Sequence, residues 1–180
     1  DETQEIASSY PVKLINQVNK GLASARNTGI MNATGDYILP VDSDDILLEN
    51  CVERISEVIE ETDADVVAPS FKCFGVNNDT VVLMPNPTLE DFKTANRIGY
   101  ASAIKKEVLL EVGGYSPRMT WGYEDLHLWV NLLTRNYKLV TIKDVLWLYR
   151  TKEKSMVHEA QLHHQELMAQ IYKDFPNFHA

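Results

Sequence analysis

The sequence contains no run of about 18 uninterrupted apolar residues, so no segment predicts a membrane-spanning helix. Its N-terminus has neither the basic start nor the apolar stretch of a secretory signal peptide. Only two cysteines occur, Cys51 and Cys73, and neither has a second Cys or a His at zinc-binding spacing. These absences predict a reduced, soluble chain in the cytoplasm, free or peripheral at the inner face of the membrane.

Positive charge is scarce, because 17 Lys and Arg face 26 Asp and Glu and give a formal net charge of −9. Such a field repels nucleic acid and anionic lipid, so we expect no nucleic-acid partner. Any anionic ligand needs a local metal ion, an Arg or a helix N-terminus to overcome that field. The 180 residues, 44% apolar and 24% charged, fit one globular domain and exclude disorder, collagen and coiled coil.

Apolar periodicity divides the first half of the chain into alternating strand-like and helical segments. It predicts strands at 12–18, 36–41 and 64–74, and helices at 21–33 and 48–61. The 36–41 segment is almost continuously apolar, which is typical of a strand buried on both faces. The β-α-β-α-β order predicts a parallel α/β sheet that binds ligands at the carboxyl ends of its strands.

The second half predicts a hairpin strand at 80–84, helices at 89–95, 102–112 and 123–136, a strand at 138–149 and a closing helix at 157–175. Gly113 and Gly114 are expected to end the helix that precedes them. Three histidines of the closing helix, His158, His163 and His164, lack the spacing of a helical two-His metal site. We therefore expect them to be solvated or partly packed.

An acidic cluster, Asp42, Ser43, Asp44 and Asp45, follows the predicted strand 36–41. Carboxylates this close repel one another unless a cation or a helix N-terminus compensates their charge. The Asp-x-Asp spacing favours a hard, oxygen-liganded ion such as Mg²⁺ or Mn²⁺, with phosphate oxygens completing the shell. The alternative is that Asp44 or Asp45 caps the next helix, although a cap needs one carboxylate and not three.

A second segment, at 19–29, follows the first predicted strand and opens a helix rich in small residues. Arg26 and Asn27 in this segment could reach a ligand at the strand ends. The segment lacks the Lys-Ser/Thr ending of a Walker loop, so its glycines do not predict a phosphate cradle. Taken alone, it could also serve only to pack the helix on the sheet.

A third segment places two acids, Glu124 and Asp125, in the first turn of a helix behind Trp121 and Tyr123. Flat aromatic faces beside carboxylates suit a sugar ring, although acids in a first turn also commonly serve only the helix dipole. The helix N-terminus lowers the pKa of a carboxyl, whereas burial beside the aromatic rings raises it. The sequence leaves open which of the two effects is larger.

Together these segments resemble the inverting nucleotide-sugar glycosyltransferases of family two, and the match runs from about residue 12 to residue 155. The matching motifs are Asn-Lys-Gly-Leu-Ala-Ser-Ala-Arg-Asn-Thr-Gly-Ile at 19–30, Ala-Thr-Gly-Asp-Tyr-Ile at 33–38, Val-Asp-Ser-Asp-Asp at 41–45, Gly-Gly-Tyr at 113–115 and Gly-Tyr-Glu-Asp at 122–125. The resemblance implies a GT-A fold, which is Rossmann-like with a mostly parallel sheet flanked by helices. It divides a single domain into a nucleotide-side half at about 1–75, an acceptor-side half at about 76–155 and a C-terminal helix at 157–175.

The resemblance also implies the roles of individual residues. Asp42 would contact the nucleoside, and Asp44 would bind the Mg²⁺ or Mn²⁺ that bridges the diphosphate. Asp125 would be the general base, with Glu124 placing sugar or acceptor hydroxyls. Further contacts to the nucleotide sugar are expected from Arg26, Asn27, Ser43, Trp121 and Lys152. The implied donor is a UDP-sugar, and the implied acceptor is a saccharide or a lipid-linked saccharide, as in polysaccharide or glycoconjugate synthesis.

Two departures from the family pattern affect these expectations. The family often closes its site with Tyr-Arg-x-His, whose His binds the metal, but here Tyr149, Arg150 and Thr151 are followed by Lys152. A Lys side chain is protonated at neutral pH and is therefore a poor metal ligand. Asp44 and the diphosphate would then hold the metal, or Lys152 would contact the diphosphate. Members of the family also begin with a β-α-β unit, and we expect it to be missing here. The chain alone is then expected to be inactive, and either to self-associate through an open sheet edge or to refill the gap with its own N-terminal segment.

Two other functions fit parts of the sequence. Without the first β-α-β unit the chain could be an inactive fragment or a nucleotide-sugar-binding or interaction module. An Asp-x-Asp after an apolar strand also occurs in metal-dependent phosphatases that use the first Asp as nucleophile. The sequence lacks the Thr or Val that those enzymes place two residues after the second Asp, and no later Lys or paired-acid strand end is evident.

Overall fold

The computed structural model describes residues 2–179, so Asp1, at the start of the predicted nucleotide-side half, lies outside the described residues. The strands are β1 (Tyr37–Ile38), β2 (Ile46–Leu47), β3 (Val66–Gly75), β4 (Thr80–Val81), β5 (Ala103–Lys105) and β6 (Leu139–Thr151). The helices are α1 (Thr3–Ser8), α2 (Leu22–Asn32), α3 (Cys51–Thr62), α4 (Leu89–Phe92), α5 (Lys106–Val112), α6 (Glu124–Thr134), α7 (Met156–Leu162), α8 (His164–Asp174) and α9 (Pro176–His179).

The strands form one mixed sheet in the order β1-β5-β3-β6-β2, with β4 paired to β3. The long central pair β3 and β6 is parallel, as expected, and runs from Val66↔Leu139 to Gly75↔Thr151. The four other pairings are antiparallel. The expectation of a mostly parallel sheet is therefore wrong for the short strands β1, β2, β4 and β5. The α/β class itself is confirmed.

Helices cover both faces of the sheet and make two apolar cores. Successive residues of a strand point to opposite faces, so Val66 of β3 enters the larger core and Val67 enters the smaller one. On the larger side, α6 buries Leu128 and Trp129. On the smaller side, α3 buries one face that includes Ile55 and Val58, as its amphipathic pattern predicts.

Several predicted elements are confirmed with small changes of boundary, namely α2, α3, α6, β3, β4 and β6. The helix α5 ends at Gly113, as predicted, because this residue adopts the left-handed conformation, with φ of +82°. The predicted helix 102–112 begins only at Lys106, because 103–105 forms β5 in the middle of the sheet order. The predicted closing helix is interrupted at His163, between α7 and α8.

Two predicted strands are wrong. Segment 12–18 has no strand and every residue of it is exposed, because its alternating apolar residues find no neighbouring strand within residues 2–179. In segment 36–41 only Tyr37 and Ile38 pair, with β5, and their side chains are half-buried rather than buried on both faces. Within the described residues, no helix combines the length and the apolar character needed to cross a membrane.

Candidate active site

The acidic loop 42–45 is held in place by its third carboxylate. Oδ2 of Asp45 accepts a hydrogen bond from the hydroxyl of Tyr100 at 2.5 Å, and Oδ1 accepts one from the backbone N–H of Arg150 at 2.6 Å. The Tyr100 hydroxyl oxygen also accepts from the backbone N–H of Asp42 at 2.9 Å. Asp45 therefore fixes the loop, and neither it nor Asp44 caps α3, which begins only at Cys51.

Arg26 connects this loop to the acid pair of α6. Its guanidinium, on α2, donates to Oδ1 of Asp42 at 3.0 Å and to Oε1 of Glu124 at 2.7 Å. The same group lies over the rings of Tyr100 and Tyr115, 4.8 and 5.2 Å from their centroids. The side chains of Arg26 and Glu124 are both buried, whereas Asp42 is partly exposed. One buried cation thus joins Asp42 to Glu124, which lie far apart in the sequence.

Asn27 is the next residue on α2, and both polar atoms of its side-chain amide bond to the backbone of Tyr115. Its Nδ2 donates to the carbonyl of Tyr115, and its Oδ1 accepts from the N–H of Tyr115, each at 2.8 Å. Gly114 has φ of +68°, and a Cβ at this position would collide with Oδ1 of Asn27. In this structure Asn27 fastens α2 to the turn after α5, and its expected contact with a nucleotide remains a prediction.

The acid pair stands at the N-terminus of α6 in a low-dielectric setting. Burial raises the pKa of Glu124, and the neighbouring charge of Asp125 adds to that rise. Burial also raises the pKa of Asp125, even though its Oδ1 accepts from the N–H of Leu126 and its Oδ2 accepts from Nδ2 of Asn96 at 2.8 Å. For both carboxyl groups, burial raises the pKa more than the hydrogen bonds in the first turn of the helix lower it.

The aromatic residues before the acid pair pack against the C-terminal helices. The ring of Trp121 stacks on His163, with centroids 4.3 Å apart and planes 6° from parallel. The hydroxyl of Tyr123 lies 3.1 Å from Nδ1 of His164. The expectation that these histidines are partly packed is confirmed. Trp121 remains 43% exposed, and its expected contact with a sugar remains a prediction.

Asp44 already has a cationic partner. Nζ of Lys152 lies 2.5 Å from its Oδ2, and Nε of Arg150 donates to its backbone carbonyl at 2.9 Å. The hydrogen bond from Lys152 lowers the pKa of the Asp44 carboxyl. Residues 2–179 contain no group of three or more His, Cys, Asp or Glu side chains that could hold a metal ion. Asp44 nevertheless fits a Mg²⁺-type site, which in proteins commonly uses one or two carboxylates together with substrate phosphates.

Two cavities meet at Arg26. The first, of about 670 Å³, is lined in part by Arg26, Asp42, Glu124 and Asp125. The second, of about 610 Å³, is lined by segment 38–44, including Ser43 and Asp44, and by α2. Arg26 and Asp42 line both cavities, whereas Asn27, Trp121 and Lys152 line neither. The structure therefore places Arg26 and Asp42 at the junction of the two spaces, and Glu124 and Asp125 line the first of them.

Comparison with known proteins decides the family. The sequence model of Glycosyl transferase family 2 matches residues 1–127. The chain belongs to this family. Glycosyltransferase GlyG of Streptococcus pneumoniae is 32% identical over 87% of this chain and 60% of its own length. An uncharacterised glycosyltransferase of Haemophilus influenzae is 34% identical over 72% of this chain and 47% of its own length.

The family 2 chain also matches a solved structure. TarS of S. aureus, residues 1–349, crystallised with UDP-GlcNAc, superposes with a TM-score of 0.73 at 18% identity, covering 95% of this chain and 53% of that chain. This likeness confirms the expected GT-A fold. The chain spans about half to three-fifths of the length of these relatives.

Some residues of this family 2 site were not found by sequence reasoning. Asn96 and Tyr100 lie in the irregular segment between α4 and β5, which carries no motif, yet they contact Asp125 and the 42–45 loop. Arg150 lies in segment 149–152, which replaces the Tyr-Arg-x-His motif of the family. Its place in that segment was the signal in the sequence for its contact with the 42–45 loop.

Proposed function

We propose that this chain forms the catalytic part of an inverting glycosyltransferase that moves a hexosyl or hexosaminyl group from a UDP-sugar to an acceptor hydroxyl. The carrying observation is the connection from Asp42 through Arg26 to Glu124, which joins the Asp-x-Asp loop to the acid pair at one cavity. Family membership supports the reaction class, and the UDP-GlcNAc bound to TarS supports the kind of donor.

Asp125 serves as the general base in this proposal. Its raised pKa makes it a better proton acceptor than an ordinary Asp, and its carboxylate lines the cavity. It takes the proton of the acceptor hydroxyl, whose oxygen attacks the anomeric carbon from the face opposite the diphosphate. The bond to the diphosphate breaks as the new glycosidic bond forms, so this single displacement inverts the anomeric centre. Glu124, held by Arg26, places sugar or acceptor hydroxyls.

The donor occupies the second cavity and its junction with the first. Arg26, Asn27, Asp42 and Ser43 are assigned to the nucleotide. Trp121, which is 43% exposed and directly precedes the cavity-lining Gly122 and Tyr123, is assigned to the rim of the sugar or acceptor site.

Mg²⁺ or Mn²⁺ is the proposed cofactor, with Asp44 as its protein ligand. When bound, such an ion neutralises charge on the departing diphosphate. Lys152 pairs with Oδ2 of Asp44 in this structure, so a metal at Asp44 would displace or share this contact. Lys152 would alternatively contact the diphosphate directly.

The proposed setting is polysaccharide or glycoconjugate synthesis in the cytoplasm or at the inner face of the membrane, with a saccharide or lipid-linked saccharide as acceptor. Strand β1 lies at one end of the sheet order, and an open edge of this kind favours self-association. Sedimentation velocity over a range of protein concentrations measures that association, and a single monomeric species at every concentration would contradict it.

Calorimetric titration with UDP-GlcNAc and Mn²⁺ tests the proposed function. We expect binding that requires Mn²⁺ in the natural protein and is lost in Asp44→Ala. Asp144→Ala is the matched control, because Asp144 is an exposed carboxylate that pairs with Arg54 and lines neither cavity. Absence of nucleotide-sugar binding across a donor panel, or undiminished binding in Asp44→Ala, would contradict the assignment.

A further inference from the structure

The lining of the cavity beside the acid pair has two chemically different parts. Charged side chains gather where Arg26 joins Asp42 and Glu124. The remainder is lined mainly by apolar side chains contributed by β3, β4 and four helices, namely Phe71, Val81, Phe92, Leu126, Val157 and Met168. At about 670 Å³ the cavity falls in the range of roughly 300–1,000 Å³ that is common for small-molecule sites.

Three polar side chains that line the cavity beside its apolar residues, those of Lys93, Thr94 and Arg97, already have protein partners. Nζ of Lys93 pairs with Oε2 of Glu90 at 2.9 Å, and Nε of Arg97 donates to the carbonyl of Asp91 at 2.8 Å. The hydroxyl of Thr94 donates to the same carbonyl at 3.1 Å. Segment 93–97 is therefore bonded back onto α4, which reduces its capacity to bind a ligand's hydroxyl groups.

The energetic consequence differs for polar and apolar ligands. Transfer of a hydroxyl group from water to this wall without a new hydrogen bond is unfavourable in free energy. Transfer of a methylene group is favourable. The aromatic rings there are also engaged with one another, since Phe71 lies 4.7 Å from Trp147 and 6.0 Å from Tyr149 between centroids. Phe71, Trp147 and Tyr149 therefore form one contiguous aromatic cluster in the cavity wall.

We infer that the acceptor carries a hydrocarbon group close to its reacting hydroxyl, and that this group lies against the apolar part of the cavity lining while the hydroxyl lies at Asp125. This inference rests on the proposed function, because it takes Asp125 as the base. It narrows the acceptor from any saccharide to a lipid-linked one. A hydrocarbon group there lies against β3, β4, α4 and α7, and it needs no polar partner from any of them.

Binding of alkyl β-glucosides of increasing chain length, kept below their micelle concentrations, tests the inference. Methyl, butyl and octyl β-glucoside share one headgroup, so differences in Kd report on the alkyl chain. Full burial of each added methylene group tightens binding by up to about 4-fold. We expect Kd to fall steadily from methyl to octyl β-glucoside, and the binding of UDP-GlcNAc with Mn²⁺ is measured on the same samples.

Two variants on α7 locate the binding. Val157 lines the cavity and is 49% exposed, whereas Leu162 lies on the same helix outside the cavity lining and is 79% exposed. Because both positions are exposed, an Asp at either leaves the cores of the fold intact. Val157→Asp should remove at least about 10-fold of the preference for octyl over methyl β-glucoside, since a charge there opposes burial of the chain. Leu162→Asp should keep the natural preference.

The outcomes separate this inference from the proposed function. Normal UDP-GlcNAc binding with a Kd independent of chain length would overturn the hydrocarbon site and leave the transferase proposal standing. Equal loss of preference in Val157→Asp and Leu162→Asp would also overturn it, because binding would then be general adsorption. Chain-length-dependent binding without any nucleotide-sugar binding would overturn the assignment of the hydrocarbon site to an acceptor, together with the proposed function.

Discussion

Replacing Arg26 by Met should destabilise the protein far more than replacing any exposed Arg. The guanidinium is 8% exposed and is paired with Glu124, which is equally buried, and with the partly exposed Asp42. Met preserves most of the side-chain length but leaves Glu124 beside Asp125 with no cation. Loss of one partner of a buried pair costs about 3 to 5 kcal/mol. We expect a loss of this size in the free energy of unfolding at neutral pH.

Arg54→Met is the matched control. Arg54 also makes two ion pairs, at 2.8 Å with Glu57 and at 3.3 Å with Asp144, but it is 36% exposed and both partners are more exposed still. Solvent screens such pairs, so this change should have a small effect. Comparing the two variants by urea denaturation separates the contribution of burial from the number of ion pairs.

The cost of Arg26→Met should also depend on pH. The folded-state pKa of Glu124 is raised, so its ionisation lowers stability as pH rises from the ordinary Glu value towards the raised one. Arg26 opposes that rise, so its loss extends the decline to higher pH, and the cost shrinks in acid where Glu124 is protonated. Adding Glu124→Gln to Arg26→Met should restore part of the loss at neutral pH. A cost equal to that of Arg54→Met, or no restoration in the double variant, would refute the reasoning.

Three further outcomes follow from the site. In a complete enzyme, Asp125→Asn keeps the size of the side chain but removes its basicity, so turnover should fall by about 10²-fold or more while UDP-sugar binding survives; near-normal turnover would move the role of base to another group. Lys152→Met removes the cation that competes for Asp44, so half-maximal UDP binding should need less Mn²⁺ in a calorimetric titration, and an unchanged or higher requirement would contradict that competition. Tyr100→Phe removes one hydrogen-bond partner of Asp45, so the free energy of unfolding should fall by about 1 to 3 kcal/mol and the KM for the donor should rise. An unchanged KM would show that the hydroxyl does not shape the 42–45 loop.

Local patterns predicted the helices better than they predicted the sheet. The spacing of apolar residues in α3 and α6, and the glycine at the end of α5, act within a few residues and appear in the structure as expected. Strand pairing depends on partners far along the chain. Segment 12–18 alternates like a strand but has no neighbouring strand within the described residues, and β5 was hidden in a segment that reads as helix.

The candidate site was partly predictable for a similar reason. Motifs located Arg26, Asp42 and the acid pair, because each lies in a short segment typical of the family. The contacts that hold them together come from residues without motifs, namely Asn96 on Asp125 and Tyr100 on the 42–45 loop. The raised pKa values of Glu124 and Asp125 depend on burial by several elements, which no local pattern encodes.

Time-resolved proton NMR of the first product tests most directly whether Asp125 is the general base of a single inverting displacement on a nucleotide sugar. A complete enzyme that contains this chain is mixed with an α-linked UDP-GlcNAc, Mn²⁺ and octyl β-glucoside, and the anomeric proton of the transferred or released sugar is followed from the start of the reaction. We expect a β-configured first product, formed at least about 10²-fold more slowly in Asp125→Asn. An α-configured first product, or equal rates in the natural protein and Asp125→Asn, would contradict the proposed mechanism.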